Sequence, residues 1–413
     1  MPTESFLCQG KTENRSAKRL VNLWSKSKIK KRSTAAVGKK LNGKSQKEML
    51  SRFYAIVAHT ALWIRSRPID IKNEIMKQKK PSVTPDRIMQ FAWSYAPVLA
   101  IEAAVRHGIF DALDTKTLTG DQVAAKTRTS KRGVTGVLDL LVGFGLLHKK
   151  GNRYALAPDT AAFLVSTKPA FYGALYRHMV GQLLPAWMHL SDVVRTGKPA
   201  LKVNAKKEGA AFFAQFVESL FPLSFPAANA LGQHLGLSKL SAPASVLDIG
   251  SGSGVWGITI AKQSPHMRIR AVDWPQVLRV TKRVAKKHGV ANRLTTAPGD
   301  FFAADFGKGH RLATIGHILH SEGRERSVRL LEKVFAALAP GGTVAIQEFI
   351  PNEERTGPPA ALIFAVNMHV NTEAGDTYTF SEMSQWLRQA GFKNPRLLDV
   401  PSVSPLVLAD KPK

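Results

Sequence analysis

A glycine-rich segment that follows an acidic residue is the most informative chemical pattern in this 413-residue sequence. Asp248 comes at the end of a short apolar run, and Gly250, Gly252 and Gly254 follow it at alternate positions. Glycine lets a loop adopt positive φ and lets the backbone approach a ligand closely. We predict that a nucleotide-binding α/β domain begins here, with an apolar strand, this loop and a helix over about 256–263.

The place of the acid indicates what kind of ligand the loop binds. In dinucleotide-binding loops a helix N-terminus faces a pyrophosphate, and a carboxylate just before the glycines would repel those phosphates. Asp248 suits a ligand that carries an ammonium group. S-adenosylmethionine has an ammonium, a sulfonium and no phosphate, so the charges favour it over NAD.

Two further acids end the strands that are predicted next. Asp273 follows the predicted strand 268–272, where a carboxylate can accept hydrogen bonds from both ribose hydroxyls of either cofactor. Asp300 is placed to accept a hydrogen bond from an adenine amino group, and Phe301 to pack on the adenine ring. Because three acids stand at successive strand ends beside the glycine loop, the sequence predicts a cofactor site there.

A histidine supplies a candidate base. His320 follows the apolar run 314–319, which we predict as a strand, so its ring is expected at a strand's carboxyl end, where α/β ligands bind. With an ordinary pKa of ~6.5, histidine can take a hydroxyl proton near neutral pH. His317 is predicted inside that strand, as a structural residue or beside the cofactor. The sequence shows no cluster of Asp, Glu and His that argues for a metal, so no metal is expected.

Elements of a different kind precede this unit. Three helical patterns, of which the first runs over 92–113, are followed by a predicted β-hairpin around Gly151 and Asn152. This is the order of a winged helix, a fold that often binds DNA. The third helix offers few side chains that could read base edges. We therefore interpret 84–165 as a dimerisation module and expect no nucleic acid as a partner.

The middle of the chain, 166–240, is predicted to be helical and is rich in aromatic side chains, most of which we expect in a core. This segment joins the two domains, and pockets favour domain interfaces and apolar walls. A minority of its side chains, with Met179 and Phe213 as candidates, are therefore predicted to contact the substrate. The composition indicates a flat, largely apolar acceptor.

The net charge of +29 is distributed unevenly. Residues 1–80 hold 20 basic and 5 acidic residues, more than half of the excess. We interpret them as a basic, disordered leader able to touch an anionic surface, or as sequence upstream of a working start at Met76. The single cysteine, Cys8, excludes a disulfide framework. The apolar run 53–64 is shorter than the ~20 residues that span a bilayer, so a cytoplasmic protein is expected.

Together these motifs resemble the family of S-adenosylmethionine-dependent O-methyltransferases with an N-terminal winged-helix dimerisation domain, which includes plant phenolic, hydroxyindole, bacterial polyketide and bacteriochlorophyll-type enzymes. The resemblance rests on VLDIGSGSG, VDWPQV, GDFF, ILHSEG and LAPGGTVAIQE, in family order, and covers about 84–410. It implies an α/β fold: a Rossmann-like class I methyltransferase domain over 241–413, with a doubly wound, mostly parallel sheet, after a mostly helical dimerisation domain. It also implies a homodimer.

The same resemblance implies roles for individual residues. His320 falls on the family's catalytic base, and Glu348 on an acid that flanks the base and orients its ring. The implied cofactor-binding residues are Asp248, Gly250, Gly252, Gly254, Asp273, Asp300 and Phe301. A helix over 360–370 faces the acceptor in the family. Its predicted substrate contacts are Phe364, Asn367 and Met368. The implied reaction moves the methyl group of S-adenosylmethionine to a hydroxyl group of an aromatic or polycyclic acceptor.

Departures from the family pattern leave alternatives open. Ser321 and Glu322 follow the base where the family has Asp-Trp, and Thr377 stands where plant members carry an acid. Two alternatives to O-methylation therefore remain within the family. The protein could methylate a carbon atom, or it could have lost methyl transfer. Two other classes remain: a winged-helix regulator that senses a metabolite and binds DNA, and a nicotinamide-dependent dehydrogenase that binds NAD.

Overall fold

The computed structural model describes residues 83–413, apart from 204–209, 211, 215 and 403. The predicted leader 1–80, with Cys8, lies outside these residues. One compact unit spans Asp86–Lys413. Within the part that the structure describes, no helix is both long enough and apolar enough to cross a membrane.

Short helices and a small sheet begin this unit. Its first elements are α1 Asp86–Met89, α2 Ala96–Arg106, α3 Ile109–Leu113, β1 Leu118–Thr119, α4 Gly120–Thr127, α5 Lys131–Gly143, β2 Leu147–Lys150, β3 Arg153–Leu156 and α6 Pro158–Phe163. The strands form an antiparallel sheet in the order β1-β3-β2. The hairpin predicted around Gly151 and Asn152 is therefore confirmed, and it follows helices as expected.

The first of the predicted helices is interrupted in the structure. The sequence predicted one helix over 92–113, but α2 ends at Arg106 and α3 begins at Ile109. Gly108 between them has a φ of 66°, a left-handed conformation that glycine adopts without steric cost. The break turns the chain and still lets both helices bury side chains in one core.

Helices fill the middle of the unit. They are α7 Gly173–His178, a π-helical turn Met179–Leu183, α8 Leu184–Trp187, α9 Leu190–Thr196, a 3₁₀ turn Val217–Leu220 and α10 Phe221–His234. His178, where α7 meets the π-helical turn, stacks on Phe216 with ring centroids 3.6 Å apart. This stacking attaches α7 to the segment around Phe216.

A seven-stranded sheet with helices on both faces forms the C-terminal part. Its elements are β4 Ala244–Ile249, α11 Val255–Gln263, β5 Met267–Asp273, α12 Pro275–Lys287, β6 Leu294–Pro298, β7 His310–Gly316, α13 Leu319–Ala337, β8 Leu338–Gln347, α14 Pro359–Asn371, α15 Phe380–Gln389, β9 Lys393–Leu398 and β10 Leu406–Asp410. The strand order is β6-β5-β4-β7-β8-β10-β9. All pairs are parallel except those that β10 makes. Two apolar clusters bury the two faces, which is the expected Rossmann-like arrangement.

The chain leaves β7 earlier than the sequence predicted. The apolar run 314–319 was expected to be a strand that contains His317 and ends before His320. In the structure β7 ends at Gly316, His317 has a φ of 59°, and His320 lies in the first turn of α13. A positive φ cannot continue a strand, so His317 turns the chain at the carboxyl edge of the sheet.

Candidate active site

A cavity opens at the carboxyl ends of β4, β5, β6 and β7, the edge at which parallel α/β sheets bind ligands. Counted with the open solvent at its mouth, its space amounts to about 1000 Å³. The predicted site residues in its wall are Phe213, Gly250, Gly252, Asp273, Asp300, Phe301 and His320. The predicted site residues that are not in its wall are Met179, Asp248, Gly254, Glu348, Phe364, Asn367 and Met368.

The glycine loop between β4 and α11 forms one wall of the cavity. Gly250, Gly252 and Gly254 have φ values of 59°, 53° and 79°, which residues with a side chain rarely adopt. A Cβ atom at Gly250 would overlap the side chain of Ile318, which packs directly against this backbone. Ile318 can approach the loop this closely only because the position has no side chain.

Asp248 lies behind the glycine loop and not in the wall. Its fully buried carboxylate accepts hydrogen bonds from the Gly257 backbone N–H at 2.9 Å and from the Thr314 hydroxyl at 3.0 Å. Burial raises its pKa to about 7; the two hydrogen bonds oppose this rise and the nearby Asp273 carboxylate adds to it. The expectation that Asp248 faces an ammonium group disagrees with this position, because the carboxylate is fully buried and does not line the cavity. Its contacts join β4, α11 and β7 behind the loop.

Asp273 stands in the wall at the end of β5, as the sequence predicted. Its Oδ2 accepts a hydrogen bond from the Gly252 N–H at 2.9 Å, and its Oδ1 accepts one from the Trp274 N–H at 2.7 Å. Burial raises its pKa to about 6, against the effect of these two hydrogen bonds. The carboxylate is thus fixed by backbone groups, while its remaining lone pairs face the cavity.

Asp300 and Phe301 follow β6 and line the cavity, with the Phe301 ring close to Gly250. Oδ1 of Asp300 accepts a hydrogen bond from the Phe302 N–H at 2.9 Å. A guanidinium nitrogen of Arg326 lies 3.7 Å from Oδ2 of Asp300. Phe301 is partly buried against the core of the sheet, so its ring is held in place while it lines the cavity.

His320 and Glu348 form a buried, hydrogen-bonded pair. Nδ1 of His320 lies 2.6 Å from Oε2 of Glu348, and the His320 backbone N–H donates to Oε1 at 3.3 Å. Burial works to raise the pKa of Glu348, but the charge of the neighbouring His320 and its hydrogen bonds hold that pKa below its usual value. A carboxylate can only accept, so the shared proton lies on Nδ1. The lone pair of the neutral ring then lies on Nε2.

His317 is the second histidine beside this pair. Its backbone N–H donates to the Gln347 carbonyl at 2.8 Å, and its Nδ1 lies 4.0 Å from Oε2 of Glu348. Burial lowers its pKa to about 4, although the Glu348 carboxylate opposes this and His320 adds to it. His317 is therefore a neutral imidazole at physiological pH.

Aromatic rings pack against both histidines. Phe364 of α14 meets His320 edge-on at 4.8 Å between ring centroids and stacks on Phe349 at 4.2 Å. Phe349 also lies 5.0 Å from His317. Of the residues predicted on α14, Phe364 is thus the one that the structure brings to the candidate base.

The other predicted substrate contacts have different surroundings. Asn367 is buried, and its Oδ1 accepts a hydrogen bond from Nε1 of Trp187 at 2.8 Å, which joins α14 to α8. Met368 is buried in the helix packing, and Met179 begins the π-helical turn. Phe213 does line the cavity and lies 6.0 Å from the Trp274 ring. Asn367, Met368 and Met179 are not brought to the cavity wall.

Arg326 and Lys333 were not singled out from the sequence. Nε of Arg326 donates to Oε2 of the buried Glu322 at 2.7 Å, and the guanidinium lies over the Phe302 ring at 4.7 Å. Lys333 holds the chain after β6: its Nζ donates to the carbonyls of Phe301, Phe302 and Ala304 at 2.7, 3.1 and 2.6 Å. Glu322 and Arg326 are four residues apart, a spacing at which ion pairs form in helices, although Gly323 between them has non-helical φ and ψ. No local pattern identifies the contacts of Lys333.

The charges of the wall fit the expected S-adenosylmethionine. The described side chains of the wall include the carboxylates of Asp273, Asp300 and Glu322, and one guanidinium, that of Arg326. An acidic wall of this kind favours a ligand that carries positive charge and disfavours a pyrophosphate. Ile318 packs against the bare backbone of Gly250 and lines the cavity beside it.

Comparisons with known proteins agree with this geometry. The family model for the O-methyltransferase domain matches residues 187–393, and the model for the O-methyltransferase dimerisation domain matches 89–166. The 3-hydroxy-5-methyl-1-naphthoate 3-O-methyltransferase of Streptomyces sahachiroi is 30% identical over 72% of this chain and 86% of its own length. The tetracenomycin polyketide synthesis 8-O-methyl transferase TcmO of Streptomyces glaucescens is 26% identical over 80% and 97%. The structure of a candidate O-methyltransferase from Nostoc punctiforme aligns with a TM-score of 0.74 and 30% identity, covering 80% of this chain and all of that one.

Proposed function

This chain belongs to the family of S-adenosylmethionine-dependent O-methyltransferases with a dimerisation domain, and we propose that it transfers the methyl group to a hydroxyl of an aromatic or polycyclic small molecule, with His320 as the base. The observation that carries the proposal is the buried His320–Glu348 pair at the cavity beside the glycine loop. Membership of the family favours this activity over the DNA-binding regulator and the nicotinamide-dependent dehydrogenase.

The proposed mechanism needs alignment of the acceptor and removal of one proton. When bound, S-adenosylmethionine supplies a methyl group that its sulfonium already activates. Nε2 of His320 accepts the hydroxyl proton, and the Glu348 carboxylate stabilises the imidazolium that forms and fixes the ring's orientation. A positioned base contributes roughly 10²–10⁴ in rate, and alignment contributes up to ~7–11 kcal/mol of the barrier.

The cofactor is proposed to bind across the glycine loop. The glycine loop, at Gly252 in particular, would contact the amino-acid part and the ribose edge, with Ile318 packed against Gly250. Asp273 is suited to accept from the ribose hydroxyls, because Gly252 and Trp274 fix its carboxylate. Asp300 and Phe301 would bind the adenine ring. Asp248 and Gly254 act indirectly in this proposal, since they shape the loop and do not line the cavity.

The acceptor is proposed to be a flat hydroxyl compound. The stacked rings of Phe364 and Phe349 adjoin the base and offer an apolar, aromatic surface, and Phe213 lines the cavity wall. Rings of this kind favour offset or edge-on contact with another aromatic system. The two relatives named above act, by their names, on a naphthoate and in the synthesis of a polyketide, which agrees with such an acceptor.

The same proposal extends to assembly and location. We infer a homodimer formed through a winged-helix domain over 84–165, with 166–240 contributing to the acceptor pocket and 241–413 binding the cofactor. The described hairpin and its preceding helices support the winged helix. The partners are small molecules and no nucleic acid, the leader 1–80 contacts anionic surfaces, and the enzyme works in the cytoplasm.

Calorimetric titration tests the cofactor assignment first. The purified full chain should bind S-adenosylhomocysteine and S-adenosylmethionine in the micromolar range and should not bind NAD. Aromatic hydroxyl compounds incubated with enzyme and S-adenosylmethionine should then gain the mass of one methyl group. Failure of both adenosyl ligands to bind would overturn the proposal, and retention on DNA at low salt would support the regulator instead.

A further inference from the structure

Three metal-ligating side chains meet beside the cavity although they are separated in the sequence. The ligand atoms of His317, His320 and Glu348 all lie within 4.8 Å of one another. Two imidazoles and a carboxylate form a donor set that zinc binds in enzymes, with one position left open. Glu348 is 28 residues beyond His320, so no short spacing motif reveals this cluster.

His317 offers the cluster a ligand atom that makes no hydrogen bond of ordinary geometry. Its Nδ1 is buried and has no such partner among the described residues, although the Gln347 side chain lies near the ring. The 4.0 Å to Oε2 of Glu348 is too long for a hydrogen bond. A buried polar atom without a partner is costly, and the positive φ of His317 adds to that cost. The fold nevertheless holds this ring at the edge of the His320–Glu348 pair.

The cluster is open to the cavity. His317 and His320 both line the cavity, which gives an ion access to the cluster.

We propose that His317, His320 and Glu348 form a site for a transition-metal cation of the zinc type, and that an ion bound there inhibits the enzyme. Zinc–nitrogen and zinc–oxygen bonds of ~2.0–2.2 Å place tetrahedral ligand atoms roughly 3.3 Å apart, so the His320 and Glu348 atoms must separate slightly and His317 must move towards them. The ion replaces the hydrogen bond between His320 and Glu348. The fourth position faces the cavity and takes water.

Inhibition follows from the tautomers of His320. As a base it needs its proton on Nδ1, towards Glu348, and its lone pair on Nε2. When Nδ1 binds the ion, the ring proton moves from Nδ1 to Nε2, so no net proton is lost and Nε2 no longer has a lone pair. Binding of the ion and removal of the acceptor's hydroxyl proton therefore require opposite tautomers of His320. The inhibition, unlike the binding itself, rests on the proposed function.

Cobalt is the probe for the site, because tetrahedral Co²⁺ with nitrogen and oxygen ligands absorbs visible light. The full-length protein with Cys8→Ser, which removes the one thiol, should give these bands with one ion per chain and lose them on addition of Zn²⁺. His317→Gln, which keeps a side chain of similar reach, and His317→Ala should each weaken the affinity at least about 100-fold. His266→Ala, at an exposed histidine far along the sequence, should leave it unchanged.

Binding of S-adenosylhomocysteine to each variant checks that it is folded. Absence of the cobalt bands in a folded parent protein, or equal affinity in the parent and both His317 variants, would overturn the site. Inhibition is measured separately: Zn²⁺ should block methyl transfer in the parent, chelator should restore it, and the inhibitory concentration should rise with the loss of affinity in His317→Gln. If the cobalt result holds but no acceptor is methylated, the metal site stands and the proposed function fails.

Discussion

Nδ1 of His320 lies 2.6 Å from Oε2 of Glu348, and both side chains are almost completely buried. This contact fixes the ring on one side and leaves its other nitrogen for the cavity. Because Glu348 stays ionised, it also offsets the charge that His320 acquires when it takes a proton. The pair can therefore serve as a base without a second titrating group.

Replacing His320 tests the base directly. In His320→Ala, turnover should fall by roughly 10²–10⁴ because proton removal is left to water. The affinity for S-adenosylhomocysteine should stay close to the wild-type value, since the cofactor needs the glycine loop and Asp273. Single-turnover methyl transfer and calorimetry measure the two quantities. The matched control is His266→Ala, an exposed histidine, and turnover near wild type in His320→Ala would exclude His320 as the base.

Replacing Glu348 tests the orientation of the ring. Glu348→Gln keeps the size of the side chain but removes its charge, and its amide can turn a donor towards Nδ1. Turnover should fall on the order of 10² or more, because the wrong tautomer is then favoured. Glu348→Asp keeps the charge with a shorter reach and should retain more activity than Glu348→Gln. Equal turnover in wild type and Glu348→Gln would contradict this role.

The buried Asp248 predicts how the ligand-free protein responds to pH. Its pKa is 3.8 in an unfolded chain and about 7 in the folded protein. Between these values the unfolded chain releases a proton that the folded protein keeps, so the free energy of unfolding falls as pH rises. Asp248→Asn does not titrate, and its amide can still accept from Gly257 and donate to Thr314. Its stability relative to wild type should rise from pH 4 to pH 7, by on the order of 4 kcal/mol at most, and then level off.

Urea unfolding at several pH values measures this difference. Wild type and Asp248→Asn share every other titrating group. The difference between their free energies of unfolding therefore reports on Asp248 alone, apart from the effect of its charge on Asp273. A constant difference between pH 4 and pH 8 would mean that Asp248 titrates normally in the folded protein.

Because Arg326 and Glu322 form an ion pair, we expect their substitutions to have non-additive effects on stability. Arg326→Ala leaves the buried Glu322 carboxylate unpaired and should destabilise the protein by about 1–3 kcal/mol. It should also weaken binding of S-adenosylhomocysteine, because Arg326 lies beside Asp300. The double variant Glu322→Gln, Arg326→Ala should regain part of the stability, since no buried charge is left alone. Additive losses in the double-variant cycle would show that the pair is not coupled.

The glycine loop and the two acids after it were predictable because each is a local pattern. Strand, glycine loop and helix are contiguous from β4 to α11, and Asp273 stands directly at a strand end. The direction of the Asp248 side chain was not predictable in the same way. It depends on Thr314 and Gly257, which lie on other elements.

The end of β7 was mispredicted because an apolar run has no signal for its last residue. The strand ends at Gly316, where a Cβ would overlap the Trp256 indole of α11. His317 then takes a positive φ that is unusual outside glycine. The cluster of His317 with His320 and Glu348 follows from this turn, and no spacing in the sequence contains it.

The acids of the cofactor side are held by main-chain groups: Asp273 by the N–H groups of Gly252 and Trp274, and Asp300 by that of Phe302. The aromatic side of α14 is held by side chains, such as the Trp187–Asn367 hydrogen bond. Amino-acid exchange can alter the second kind of support and leave the first untouched. Evolution, or a designer, can therefore retarget such an enzyme to a new acceptor by exchanging a few residues on α14 and its neighbours, while the choice of methyl donor is inherited with the backbone.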